Sequence, residues 1–248
     1  MRLGRLPANH ADIARAPSLR DHHFAAMPPP AKLDRRDIDF QPRMFGNNIY
    51  PDCSAAGLAN GMLAVSALDG LTPVIADAMV PAFYAECVGV ANTDAAIAAT
   101  DGAVLLDVLR HQATQGFSVG QQVSLAGLFG TVARNRTSLA QTMAALGFAY
   151  IGVNLYDRDM QTSGIWDDDG RDPGPFIDGH CIDIWDYLGL ADTDTARVAT
   201  WGGFRTVTWR WIDARLDESW GLFWRQLTPE RMTVEDDDRL AAMVRGMA

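Results

Sequence analysis

Residues 46–58 read GNNIYPDCSAAGL, and they carry one of the three cysteines in a chain of 248 residues. Polar and turn-forming residues lead to Asp52, and an alanine-rich apolar run follows. Asp52 is placed to cap a helix that opens at Cys53 and runs to about Leu68. A thiol in the first turn of a helix lies at the positive end of the helix dipole, which favours the thiolate, its nucleophilic form. A nucleophile of this kind needs a base, and an imidazole brought close by the fold is a common one.

Five histidines are available. His10, His22 and His23 fall in an irregular N-terminal stretch, and His111 lies on the polar side of an amphipathic segment. His180 follows the turn-rich PGPFIDG and opens an apolar strand, Cys181 to Tyr187. A strand end is a suitable place for a base that faces a cleft. Cys53 and His180 are therefore the candidate catalytic pair.

Outward from these residues the chain divides in character. Residues 73–88, 101–116 and 137–147 have helical spacing, with Pro81 expected as a kink or restart and Thr137 or Ser138 as a cap. Residues 149–155, 180–188, 195–201, 204–209 and 219–224 are rich in β-branched and aromatic residues between Gly and Asp turns, and read as strands. Helices in the first half and strands in the second predict an α+β fold, a helical part packed on a mainly antiparallel sheet. Most of the seven tryptophans, concentrated in the last third, are expected in the core.

Residues 1–45 are rich in Pro, Arg, Asp and His and lack periodicity, so they read as an extended arm that lies on a surface or reaches a partner. The domain proper is expected over 46–227, with 228–248 an acidic C-terminal helix or tail. The acidic run Asp157–Asp172 lacks the spacing of a calcium loop and reads as solvated, so no metal or cofactor is expected. Three widely spaced cysteines without a CxxC argue against a disulfide framework or a structural zinc.

A formal charge of −10 argues against general nucleic-acid binding and against adhesion to anionic membranes. No apolar run approaches the roughly 18 residues of a membrane span, and the N-terminus lacks the apolar centre of a secretory signal. Cytoplasmic synthesis is the expectation.

The order of these segments resembles the papain-like cysteine peptidase superfamily, in a divergent form like those of phages and prophages. PDCSAAGLANGM resembles the family's nucleophile segment, DGAVLLDVLRHQATQGF the helix that follows, and TSLAQTMAALGFAYIGVNLYD the approach to the sheet. DGHCIDIWDYL is similar to the histidine strand and ATWGGFRTVTW to the family's Asn-Ser-Trp-Gly segment. The resemblance implies that Cys53 is the nucleophile, His180 the base, Asn47 the oxyanion-hole amide beside the Cys53 N–H, and Trp201 a shield over the histidine. The asparagine that orients the histidine in the family aligns with Ala199, so Thr200 is the nearest candidate orienter, with Asp178 and Asp183 as alternatives. Ser54 replaces the usual aromatic residue, and the arm is shorter and less regular than the family's propeptide. Two functions follow from the resemblance. One is hydrolysis of a peptide or amide substrate; the other is a catalytically silent fold that docks through residues 1–45 on an assembly such as a phage particle, making it a virion component.

Overall fold

A computed structural model describes residues 2–119, 123–225, 227, 238, 241 and 242. Helices are α1 (His10–Ile13), α2 (Cys53–Leu68), α3 (Met79–Val88), α4 (Asp94–Ala98), α5 (Leu105–Gln115), α6 (Arg136–Leu146), α7 (Asp157–Gln161) and α8 (Trp209–Arg215). Strands β1 (Phe117–Val119) and β2 (Val123–Leu125) form a small ribbon. The main sheet comprises β3 (Leu128–Thr131), β4 (Ala149–Tyr156), β5 (Phe176–Tyr187), β6 (Thr195–Thr200), β7 (Gly203–Thr208) and β8 (Leu216–Phe223). Its order is β3-β8-β4-β5-β6-β7, with every neighbouring pair antiparallel. The expected α+β architecture is what forms. Most of the suggested 228–248 tail lies outside the described residues.

Helix α2 is the pillar between the two halves. It has almost no polar face, as its alanine-rich sequence requires, and it is buried nearly throughout. Small residues let it approach the sheet closely: a Cβ at Gly57 would lie 3.1 Å from Cys181 Sγ, and one at Gly61 would lie 2.3 Å from the Phe148 ring. Buried Asn60 bonds both backbone groups of Arg43 and so ties down the loop that leads to Cys53. The Tyr150 hydroxyl, rising from β4, donates to the Ser54 carbonyl at 2.8 Å. The first turn of α2 is thereby fixed from both sides.

Several boundaries differ from the sequence reading. Residues 73–78 are not helical; the helix begins at Met79. Pro81 neither kinks nor restarts it, since it sits in the first turn, where its missing N–H has no partner to lose. Helix α6 is capped by Asn135, whose side chain accepts from the Ser138 N–H, rather than by Thr137 or Ser138. Strand β5 starts at Phe176, four residues ahead of His180.

The N-terminal stretch lies on the body along its course. Leu19 and Phe40 are buried. The guanidinium of Arg35 donates to the carbonyls of Met143 (2.8 Å), Trp185 (2.9 Å) and Gly147. Trp166, Trp185, Trp209, Trp211, Trp220 and Trp224 are buried as expected, and Trp201 is half-buried.

Candidate active site

Cys53 is the first residue of α2, as its sequence context predicts, but Asp52 does not cap the helix: its side chain makes no hydrogen bond to the first-turn N–H groups. Asp52 is fully buried beside Asn47, and burial pushes its carboxyl up to about 8, while the Asn47 amide favours the ionised form. An acid held neutral by the fold stabilises it below about pH 4, where an unfolded aspartate is also protonated. That stability is lost as pH rises through about 8. Asp52→Asn will therefore stabilise the protein relative to the native chain by an amount that grows between about pH 4 and about pH 8. Denaturant melts at both ends of that window check this; a gain independent of pH would refute it.

The Cys53 thiol is 1% exposed. Burial pushes it up to about 12, outweighing the Cys181 backbone N–H and the Arg5 guanidinium, which both favour the thiolate. His180, on β5, is equally buried, and burial followed by the charge of Arg5 lowers it to about 3. Both groups are neutral in this state. His180 Nε2 meets Thr200 Oγ1 at 2.7 Å, and its Nδ1 has no hydrogen-bond partner among the described residues.

Thr200 reaches the histidine because it ends β6 at a tight turn. Thr200 pairs with Gly203, so Trp201-Gly202 form the whole turn, and both have positive φ, 45° and 73°. That geometry is natural for glycine but costs a tryptophan about 1–2 kcal/mol. The strain sets the indole 4.4 Å from the His180 ring, stacked at 19°. Ala199 pairs with Asp183 one register position further along. The Asp183 carboxylate has no hydrogen-bond partner among the described residues, and Asp178 accepts from the Gly179 N–H. Of the three candidate orienters, Thr200 is the one bonded to His180. Asn47 is buried, and its amide donates to the Tyr50 carbonyl at 3.2 Å.

A segment without any pattern of its own lies close to Cys53 and His180, with Arg5 acting on both. Residues 2–6 form a strap between two walls. On one side Ala103 N–H donates to the Gly4 carbonyl (2.9 Å) and Leu6 N–H donates to the Ala103 carbonyl (3.0 Å). On the other, the N–H groups of Gly4 and Arg5 both reach the Gly179 carbonyl, at 3.3 and 3.1 Å. Arg2 N–H bonds the Asn47 carbonyl (2.9 Å), and the Trp201 indole N–H bonds the Arg2 carbonyl (3.1 Å). The strap thus bonds Gly179, the neighbour of His180, and Asn47 in the segment that leads to Cys53.

No family model and no curated protein sequence matches this chain. Solved structures do match it in shape. Xylellain, a cysteine protease from Xylella fastidiosa, superposes with a TM-score of 0.63 at 16% identity, over 89% of this chain and 95% of that one. The proCathepsin B S9 of Trypanosoma congolense gives 0.62 at 11%, over 90% and 86%. A digestive procathepsin L 3 from Tenebrio molitor larval midgut gives 0.58 at 11%, over 86% and 77%.

The fold is papain-like.

Within this papain-like frame, Cys53 stands at the start of the central helix and His180 on the adjoining strand, with Cys181 N–H against the thiol. Sequence reasoning missed Arg5, Gly179 as an acceptor, and the pair Asp217 and Glu218. Only Gly179 had a signal, in its position before His180. The acidic run between β4 and β5 is largely paired: Asp167 binds Arg210, Asp168 binds Arg215, and Asp169 binds Arg158 and Arg171.

Proposed function

We propose that this chain hydrolyses peptide or amide bonds with Cys53 as nucleophile and His180 as base, and that residues 2–6 hold it in a closed state. The observation that carries this reading is the strap itself: an extended stretch of polypeptide bonded through its backbone between Ala103 and Gly179, with Arg5 near enough to act on both the thiol and the imidazole. A groove that takes one extended peptide through main-chain hydrogen bonds can take another by the same means.

In the open state, water re-enters the groove and the burial that keeps Cys53 and His180 neutral is relieved. The helix terminus and the Cys181 N–H then favour the thiolate, and His180 takes the thiol proton. Thiolate attack on the substrate carbonyl gives a tetrahedral oxyanion, which the Cys53 backbone N–H and the Asn47 amide are assigned to stabilise. The imidazolium returns the proton to the leaving amine, and water releases the acyl group by the same route. Thr200 holds the ring by its Nε2, leaving Nδ1 for the proton transfer. The silent docking reading needs residues 1–45 free for a partner; the packing of Arg5, Leu19, Arg35 and Phe40 on the body favours the enzyme reading.

The test is release of amine from a mixed peptide library by the full chain with its strap weakened by Gly4→Val. Cys53→Ala should abolish release. Thr200→Val should lower kcat roughly tenfold and leave KM nearly unchanged, as expected for a residue that orients the base. Release that persists in Cys53→Ala, or none from the opened chain, would defeat the proposal.

A further inference from the structure

The strap also places a side chain where a substrate side chain would go. Arg5 is 2% exposed, and its guanidinium runs along a slot beside β5. Two glycines make the slot: a Cβ at Gly152 would lie 2.6 Å from Arg5 Cδ, and one at Gly179 would lie 2.9 Å from Arg5 Nε. Arg5 Nη1 donates to Asp217 Oδ2 at 2.7 Å, to Glu218 Oε1 at 3.2 Å and to the Leu6 carbonyl at 3.5 Å. Nη2 donates to Asn154 Oδ1 at 2.5 Å. Nε is buried without a hydrogen-bond partner among the described residues.

Adjacent residues on a strand normally point to opposite faces. Asp217 and Glu218 meet one guanidinium because β8 has a bulge here: Glu218 pairs with Gly152 and Leu216 with Val153, leaving Asp217 extra. Glu218 is 1% exposed, and its second oxygen accepts from the Trp220 indole N–H at 2.9 Å, which fixes the carboxylate toward the slot. A buried carboxylate with a fixed orientation needs a cation opposite it, and the planar guanidinium meets two carboxylates and an amide at once, as an ammonium does not.

We propose that Asn154, Asp217 and Glu218, in the slot over Gly152 and Gly179, form a guanidinium subsite, so that the open groove selects peptides carrying arginine, for which Arg5 is the built-in stand-in. This rests on the groove being the substrate site, but its binding chemistry does not involve Cys53. The test uses full-length Arg5→Ala in a Cys53→Ala background, with Nα-acetyl-arginine amide as probe and the uncharged citrulline amide as control. Arginine amide should bind at least tenfold more tightly than citrulline amide. The chain retaining Arg5 should bind it at least tenfold more weakly than Arg5→Ala does, and adding Glu218→Gln should abolish the preference. Equal binding of the two amides, or a preference that survives Glu218→Gln, overturns the subsite. If Arg5→Ala does not fold alone, ethylguanidinium should restore a cooperative melt where ethylammonium does not; equal effects of the two ions also overturn it. Arginine binding by a chain that never cleaves peptides would sink the enzyme reading alone, and cleavage indifferent to arginine would sink the subsite alone.

Discussion

Valine in place of Gly4 will raise the rate at which iodoacetamide alkylates Cys53 by roughly a hundredfold. A buried thiol reacts only from states in which its cover has opened, so the observed rate is the reactivity of the open state times its population. A Cβ on Gly4 would fall 2.2 Å from the Pro51 carbonyl oxygen and 2.6 Å from the Pro51 carbonyl carbon. Backbone atoms cannot swing aside as a flexible side chain can, so the strap must leave its seat. Losing the Gly4 bonds to Ala103 and Gly179 and the neighbouring Arg2 bond, at about 1 kcal/mol each, weakens closure by about 3 kcal/mol, or roughly a hundredfold in population. Peptide mapping gives the rate at Cys53 with Cys181, buried beneath α2, as internal reference. A variant that melts cooperatively yet alkylates Cys53 no faster would show that the strap does not gate the thiol.

The second large effect is on stability. Gly61→Leu will destabilise the fold by about 3 kcal/mol, the upper part of the range for overpacking a close-packed core. The Cβ alone would lie 2.3, 2.5 and 3.0 Å from three carbons of the Phe148 ring. That ring is stacked on Trp224 at 7° and cannot turn away freely. The helix-propensity gain of about 1 kcal/mol from replacing glycine does not offset the clash. Gly203, at which an added Cβ meets nothing within 4 Å and φ is not positive, supplies the control: Gly203→Ala should shift the denaturant midpoint little. Equal midpoints for the two variants would remove Gly61 as the point of closest helix–sheet approach.

What the sequence disclosed depended on how local each feature is. The start of α2 at Cys53 was legible because proline, aspartate and an alanine run sit side by side. The α+β division was legible because periodicity changes within single segments. The capping role of Asp52 was misread, because burial rather than helix chemistry decides where its carboxyl points. Thr200 was named as a candidate with Asp178 and Asp183 as alternatives, and only the Trp201-Gly202 turn, with its left-handed tryptophan, brings Thr200 to His180. The strap was invisible, since residues 2–6 have no pattern of their own and take their conformation from Ala103 and Gly179. Asp217 and Glu218 were passed over for a similar reason: a bulge is a property of the pairing between β4 and β8, not of either strand.

The ion pair between Arg5 and Glu218 joins residues 213 positions apart. Its seat needs Gly102-Ala103, Gly179 and the β8 bulge, so residues 2–6 are among the last that can dock. Loop length itself adds little, about 0.6 kcal/mol for each doubling. The delay comes from assembling the two walls. During folding, Cys53 therefore passes through a period in which the groove exists and the strap has not yet arrived, and covering the thiol marks completion of the fold.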